Sequence, residues 1–480
     1  MDHILYWNSI ALEANRRDFS NVPGTDKASP EQGGPTLSSR VLAIVHLAIY
    51  DAHAGAANSA ALPRYLSVPS NPTAGASAAA AVAAAAHACL SALYPRQKAH
   101  FDAAHQAAGL SGPGLTEGHD FGLAVGQAML ADRAGDPGAM DNGYAASMHP
   151  GAHRPEPSNP SQGYHAPFYG ARAKCFAVTA RHELDAPPAR GSSGYQKALK
   201  QVRGKGISPE LMGTLPAEFK KRSVDETLIG LFWAFDGARE LGTPPRLYNQ
   251  IVRQVAMTRG NTVDQNARLF ALVNAAMGDA GILAWDQKYI HNLWRPVLGI
   301  REHDASMGPA APTPVGNIDN DCDPSWLPLG APASNSLDRN FTPPFPAYPS
   351  GHATFGAAAF HMVRLFYGVA PGDRSADTVH TESFTSDELN GVTRDNTGTI
   401  RPRHVRRWPG GLWQMIEENG FSRIFLGVHW SFDAFALDSA GKPDLTRNIG
   451  GAPLGLKIAE DIFAAGAAMA PVRSIVGPRS

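Results

Sequence analysis

Cysteine is scarce in this 480-residue chain: Cys89, Cys175 and Cys322 are far apart and odd in number. They exclude a disulfide framework and a CxxC zinc site, and they read as packed thiols. An excess of one charge sign is also missing. The 42 Lys and Arg against 43 Asp and Glu leave a net charge of −1, which excludes a bulk nucleic-acid binder with its basic surplus. That total still permits a local cluster of one sign. The N-terminal run Met1-Asp2-His3-Ile4-Leu5-Tyr6-Trp7-Asn8 shows no basic region followed by an apolar one. No signal peptide is therefore expected, and secretion and cytoplasmic residence both stay open. Long strongly apolar runs are absent too. Residues 73–94 are mostly alanine, a strong helix former but weakly hydrophobic, so a buried helix of a soluble protein is expected there and not a membrane span.

What is present points to a loop-rich globular protein. Hydrophobic residues make up 43% and charged ones 18%, with 48 Gly and 38 Pro. Length alone allows about three domains, and a chain of this size buries its core without staples.

Helical spacing dominates. Val224, Leu228, Phe232 and Phe235 form one amphipathic stripe; Leu269, Val273, Ala276, Ala280 and Leu283 form another; Phe355, Ala359, Val363 and Phe366 a third. The run from Leu37 to Tyr50 is apolar nearly all round, which suits the centre of a bundle. Further helices are expected near 95–109, 116–133, 244–258, 411–426 and 452–466, with irregular stretches at 135–170 and 302–349. Residues 186–222 read as a connection between two helical halves. The fold class is all-α, two helix bundles with long irregular connections: an N-terminal bundle over 1–205 and a C-terminal bundle over 206–480, together one unit.

Three clusters suggest an oxyanion site. Lys288 and Arg295-Pro296 are seven residues apart, which on one continuous helix puts both cations on the same face. Pro349-Ser350-Gly351-His352 precedes the third stripe. Ser350 is a natural N-cap, Gly351 allows close approach to the backbone, and the helix N-terminus favours an anion. His352 then sits on the first turn, where it can shuttle protons. Ser422-Arg423, His429 and Asp433 form the last cluster. On a helix the four-residue spacing lets Asp433 hold one ring nitrogen of His429 and orient the other. Gly427 is the natural break between Arg423 and His429.

Lys-x6-Arg-Pro, Pro-Ser-Gly-His and Ser-Arg-x5-His-x3-Asp, in that order, resemble the superfamily of vanadium-dependent haloperoxidases and type 2 phosphatidic acid phosphatases. Phe232-Trp233-Ala234-Phe235-Asp236-Gly237, Pro343-Pro344-Phe345-Pro346-Ala347-Tyr348 and Arg423-Ile424-Phe425-Leu426-Gly427-Val428-His429-Trp430 are similar to the fungal-type chloroperoxidases within it. The resemblance runs from about residue 36 to 466 and is densest after 225. It implies two four-helix bundles, with one vanadate, as vanadium(V), per chain in the C-terminal bundle.

The resemblance also implies residue roles. His429 bonds the metal; Lys288, Arg295, Ser350, Gly351 and Arg423 hold the vanadate oxygens; His352 is the acid–base group and Lys288 assists it. Asp433 and Asp236 stand behind these residues, Asp236 pairing with the motif cations. Trp285 and Phe345 line the halide pocket, where an aromatic in place of the histidine typical of bromide-preferring relatives leans toward chloride. The implied reaction is oxidation of chloride and/or bromide by hydrogen peroxide to hypohalous acid, through peroxovanadate. An organic acceptor would take the product, and neither a nucleic-acid partner nor a membrane span is expected.

The alternative on the same residues is an acid phosphatase passing through a phosphohistidine on His429. A plain oxyanion-storage protein is a third reading, and it has no need of His352. His291 reads as packed or loop-facing, and His149, His153 and His165 as a solvated loop. Two departures, the lack of acids between Lys288 and Arg295 and the short connection after Asp433, bear on pH optimum and halide preference.

Overall fold

The structure is a computed structural model and describes residues 2–20, 29–59, 61–72 and 74–479. Helices α1 (His3–Asp18), α2 (Gly34–Ala57), α3 (Ala78–Leu93), α4 (Lys98–Ala107) and α5 (Leu115–Asp132) come first. A single turn, α6 (Tyr169–Arg172), and α7 (Ser193–Lys205) follow. The second half holds α8 (Val224–Phe232), α9 (Pro244–Thr258), α10 (Val263–His291) and α11 (Pro296–Arg301). It continues through α12 (Gly351–Phe366), α13 (Gly411–Phe425), α14 (Ser431–Ala434) and α15 (Gly451–Ala465). The only sheet among the described residues pairs Ala436–Leu437 with Pro443–Asp444, antiparallel. Helices dominate, as expected.

Most expected helices fall within two or three residues of their places. α2 is buried along nearly its whole length and packs on α3, α5 and α10, which explains its lack of a polar face. α3 supplies the alanine-rich segment, started by the Ser77 cap; Thr73 lies outside the described residues. Small side chains serve close packing there: a Cβ on Gly122 of α5 would lie 2.0 Å from the Ala81 carbonyl oxygen of α3. α10 opens with a reciprocal Thr262–Gln265 capping box, which satisfies two otherwise orphaned N–H groups. It is long and apolar enough to cross a bilayer, yet 94% of that window is buried inside the protein.

Three expectations need correction. The stripe from Val224 ends at Phe232: Phe235 has φ +46° and Val224 is 80% exposed, so a turn replaces the last helical step. The supposed connection at 186–222 carries α7, whose Tyr195, Leu199 and Val202 are buried. α1 was not anticipated, although Ile4, Trp7 and Ala11 are buried on it at helical spacing.

In the second half α12 packs against α10, α13 and α15. Its contact with α15 depends on glycine, since a Cβ on Gly455 would lie 2.3 Å from the Thr354 carbonyl oxygen. Overpacking of a core helix pair costs about 1–3 kcal/mol. Gly455→Ala is therefore expected to lower the unfolding free energy by that amount, measured by urea unfolding of the purified protein.

Candidate active site

The N-terminus of α12, the C-termini of α10 and α13, and the loops leaving them meet at one point. α10 delivers Trp285 and Lys288, both buried. It stops after His291 because Asn292 turns left-handed (φ 45°) and donates to the Lys288 carbonyl. Arg295 then caps α11, which begins at Pro296, where proline's missing N–H costs nothing. Lys288 and Arg295 thus do not share a helix face as the spacing suggested; a tight break and a new helix start bring them together.

The third cluster departs from expectation in the same way. α13 ends just past Arg423, and Gly427 (φ +74°) makes the break foreseen for it. His429, however, precedes α14. Asp433 lies on the first turn of α14 and accepts from both His429 Nδ1 (2.8 Å) and the Trp430 backbone N–H (2.9 Å). The pair is joined by helix-cap geometry, not by one helical turn.

Protonation states follow from these contacts. The Nδ1–H of His429 donates to Asp433, so Nε2 is the bare nitrogen and accepts from Arg295 Nη1 at 2.9 Å. Burial, then Arg295 and Lys288, hold its imidazole well below the usual histidine range. Burial pushes the Asp433 carboxyl up to about 7. Lys288 Nζ donates to the carbonyls of Pro346 (2.8 Å), Ala347 (3.3 Å) and Pro349 (2.5 Å). Burial and Arg295 lower its pKa well below the ordinary lysine value, while three acceptors match the three protons of the charged ammonium.

Arg423 forms a two-pronged pair with Asp236 at 2.8 and 3.0 Å, the geometry that makes Arg–carboxylate contacts strong. Asp236 also lies 3.9 Å from His352 Nε2. His352 donates from Nε2 to the Ala234 carbonyl at 2.6 Å, which leaves Nδ1 as its basic nitrogen. Burial and then Arg423 depress its pKa to about 3. Ser350 caps α12, accepting from the Ala353 N–H, and its hydroxyl proton remains to be donated.

A cavity of about 160 Å³ opens here, lined by Asp236, Trp285, Phe345, Gly351, His352, Arg423 and His429 among others. Trp285 and Phe345 face each other with centroids 4.7 Å apart. Lys288 Nζ and the Arg295 guanidinium lie 5.0 and 4.9 Å from the Phe345 ring. Arg295 Nη2, Arg423 Nε and Asp433 Oδ1 are buried and have no hydrogen-bond partner among the described residues. Orphaned guanidinium N–H groups beside a bare imidazole nitrogen fit a tetrahedral oxyanion, whose oxygens would accept from them.

All eleven residues singled out in the sequence thus gather at the cavity or directly behind it. Asn419 and Tyr248 were not foreseen. Both donate to the His352 carbonyl, at 2.8 and 3.2 Å, and no motif marks them. The loop of three histidines needs correction: His149 is exposed, but His153 is fully buried and His165 lines the cavity. The long segment carrying them folds back onto α10. His291 packs edge-on against Tyr348, as expected.

Comparison with known proteins identifies the family. The family model for the vanadium chloroperoxidase N-terminal domain matches residues 1–175, and that for its second helical-bundle domain matches 268–450. Vanadium chloroperoxidase from Curvularia inaequalis is 35% identical over 572 aligned positions, spanning 96% of this chain and 89% of the relative. Among solved structures, the fold is similar to a bacterial vanadium-dependent iodoperoxidase (TM-score 0.62, 17% identity, 96% of each chain). It is equally similar to a holo-type bacterial vanadium-dependent chloroperoxidase (TM-score 0.62, 16% identity, 91% of this chain and 95% of the other).

Proposed function

The chain belongs to the vanadium chloroperoxidase family, and from that premise we propose how its residues hold vanadate and handle peroxide and halide. It is a vanadate-dependent haloperoxidase, oxidising halide with hydrogen peroxide. In our reading His429 Nε2, giving up its contact with Arg295 Nη1, would bind the vanadium, and Lys288, Arg295, Ser350, Gly351 and Arg423 would hold the oxygens. The observation that carries this is the bare Nε2 of His429 beside buried, unpartnered N–H groups of Arg295 and Arg423. Three cations face Asp236 and a Asp433 carboxyl raised to about 7, so the site carries surplus positive charge for an anion.

Bound vanadate supplies a Lewis acid that activates a peroxide oxygen without changing oxidation state. The protein's own groups move the protons and charge. His352 Nδ1 takes a proton from hydrogen peroxide and returns it to the product oxygen. Lys288, its three protons held by the Pro346, Ala347 and Pro349 carbonyls, would lend positive charge from behind the cavity to a peroxide oxygen and so make it electrophilic toward halide. Halide, peroxide and one further proton then balance as hypohalous acid and water. Asp433 keeps the His429 tautomer, and Asp236 holds Arg423. The aromatic wall of Trp285 and Phe345, with no histidine at position 345, supports chloride as well as bromide as substrate. An organic acceptor takes up the hypohalous acid.

The experiment is reconstitution of the apo protein with orthovanadate, followed by halogenation of a phenolic dye with peroxide and chloride, bromide or iodide. Vanadate-dependent turnover with chloride is the expected result. Turnover with bromide or iodide alone would remove the chloride reading. Brisk hydrolysis of phosphate esters with no vanadate-dependent halogenation would favour a phosphatase using His429 as nucleophile, and tight vanadate binding with neither activity would favour storage.

A further inference from the structure

We propose that His165 is a specificity-determining residue of the halide site, donating from Nδ1 to the halide ion. The inference rests on the haloperoxidase reading above. A halide needs donors, and aromatic faces alone repel an anion because their quadrupole is negative over the ring. The indole N–H of Trp285 is already committed, donating to the His165 carbonyl at 3.2 Å. Phe345 has no polar atom. His165 is the third ring of this corner of the cavity, edge-on to Trp285 at 5.9 Å and tilted to Phe345 at 6.1 Å.

The tautomer of His165 is set by a residue far away in the chain. Thr36, fully buried on the first turn of α2, lies with Oγ1 2.9 Å from His165 Nε2. Thr36 Oγ1 makes no other hydrogen bond among the described residues, and we assign its hydroxyl as the donor to Nε2. The ring proton then belongs on Nδ1, which makes no hydrogen bond among the described residues. Burial holds the imidazole neutral, with its pKa lowered to about 4, so this is a neutral N–H donor at working pH.

The ring has little freedom to turn away. Its backbone N–H donates to Pro344 (2.8 Å), and its carbonyl accepts from Tyr289 (2.7 Å) as well as from Trp285. Gly34 makes room for it: a Cβ there would lie 2.3 Å from Cε1 and 2.5 Å from Nε2. One residue thus ties together the helix carrying Trp285, the loop carrying Phe345 and the start of α2.

Two variants of the vanadate-loaded enzyme test this. His165→Phe keeps an aromatic ring but removes the donor. Thr36→Val keeps the imidazole but removes the hydroxyl that fixes its tautomer. A hydrogen bond to a charged partner commonly corresponds to a tenfold effect or more. The KM for chloride is expected to rise about tenfold in His165→Phe and by a smaller factor in Thr36→Val. Iodide, the weaker acceptor, should be affected least, so the chloride-to-iodide ratio of kcat/KM should fall. Vanadate affinity, measured by equilibrium dialysis, should stay at the wild-type value and reports that the fold is intact.

As a readout independent of turnover, anomalous scattering from a bromide-soaked crystal should show the ion within hydrogen-bonding distance of His165 Nδ1. Unchanged halide KM and halide ratios in His165→Phe, or bromide bound away from Nδ1, would overturn the assignment. A wild-type enzyme with no vanadate-dependent halide oxidation would instead overturn the reading on which it rests.

Discussion

Replacing His429 with alanine is expected to abolish halide oxidation and to weaken vanadate binding by about a hundredfold or more, the upper range for losing even a supporting group of a metal site. The expected loss follows from the way this one ring is prepared. Asp433 fixes the proton on Nδ1, the cap at Trp430 fixes Asp433, and Arg295 approaches the bare Nε2 at 2.9 Å. Alanine leaves the Trp430 cap on Asp433 in place but takes away the ring and its lone pair. Equilibrium dialysis or vanadium NMR of the variant measures the affinity directly. Binding as tight as in the wild type would remove His429 from the metal. The oxyanion pocket made by Arg295, Arg423 and the start of α12 should still attract some vanadate, so residual weak binding with no turnover is the expected pattern.

His352→Ala should show the opposite pattern, with vanadate retained and peroxide chemistry lost. A positioned acid–base group contributes about 10²–10⁴ in rate, and a fall of that size in kcat/KM for peroxide is expected. The pH profile carries the sign. Burial and Arg423 hold His352 near 3, below its ordinary 6.5, so it is neutral and basic at Nδ1 through most of the acidic range. A bound anion favours the charged imidazole and moves its pKa upward. Below that pKa the protonated ring cannot accept a peroxide proton, so kcat/KM for peroxide should fall as pH drops through it. The same limb should vanish in His352→Ala. An acid limb that survives the substitution would assign the base to another group.

The depressed pKa bears on stability too. An imidazole near 3 in the folded chain and near 6.5 when unfolded binds fewer protons in the native state between those values. Its neutral burial is tolerated in full above about pH 6.5, and stability is lost as pH falls from there toward 3.

Much of this protein was legible one segment at a time. The stripes ending at Leu283 and Phe366, the Ser350 cap and the Gly427 break describe local geometry, and local geometry is what periodicity and capping residues encode. α9 occupies residues 244–258, the range its sequence suggested. The errors have equally local causes. Phe235 continued a hydrophobic stripe but belongs to a turn, where its apolar ring is buried without being helical. The 3.6-residue arithmetic joined Lys288 to Arg295 and His429 to Asp433 across helix ends that it had no means of detecting.

The chain alone determined which chemistry was present: three cations, two histidines and their carboxylates in an order too specific for chance. Their meeting point was decided only by the packed structure. Arg423 reaches Asp236 across 187 positions, and Thr36 reaches His165 across 129. Contacts at such separations depend on how α2, α10, α12 and α13 pack, and packing leaves no periodic trace in any one segment. Tautomers belong to the same class, because a ring proton goes where a distant acceptor or donor puts it. The near-zero net charge illustrates the divide: composition reported a balanced chain, while folding gathered Lys288, Arg295 and Arg423 around one cavity.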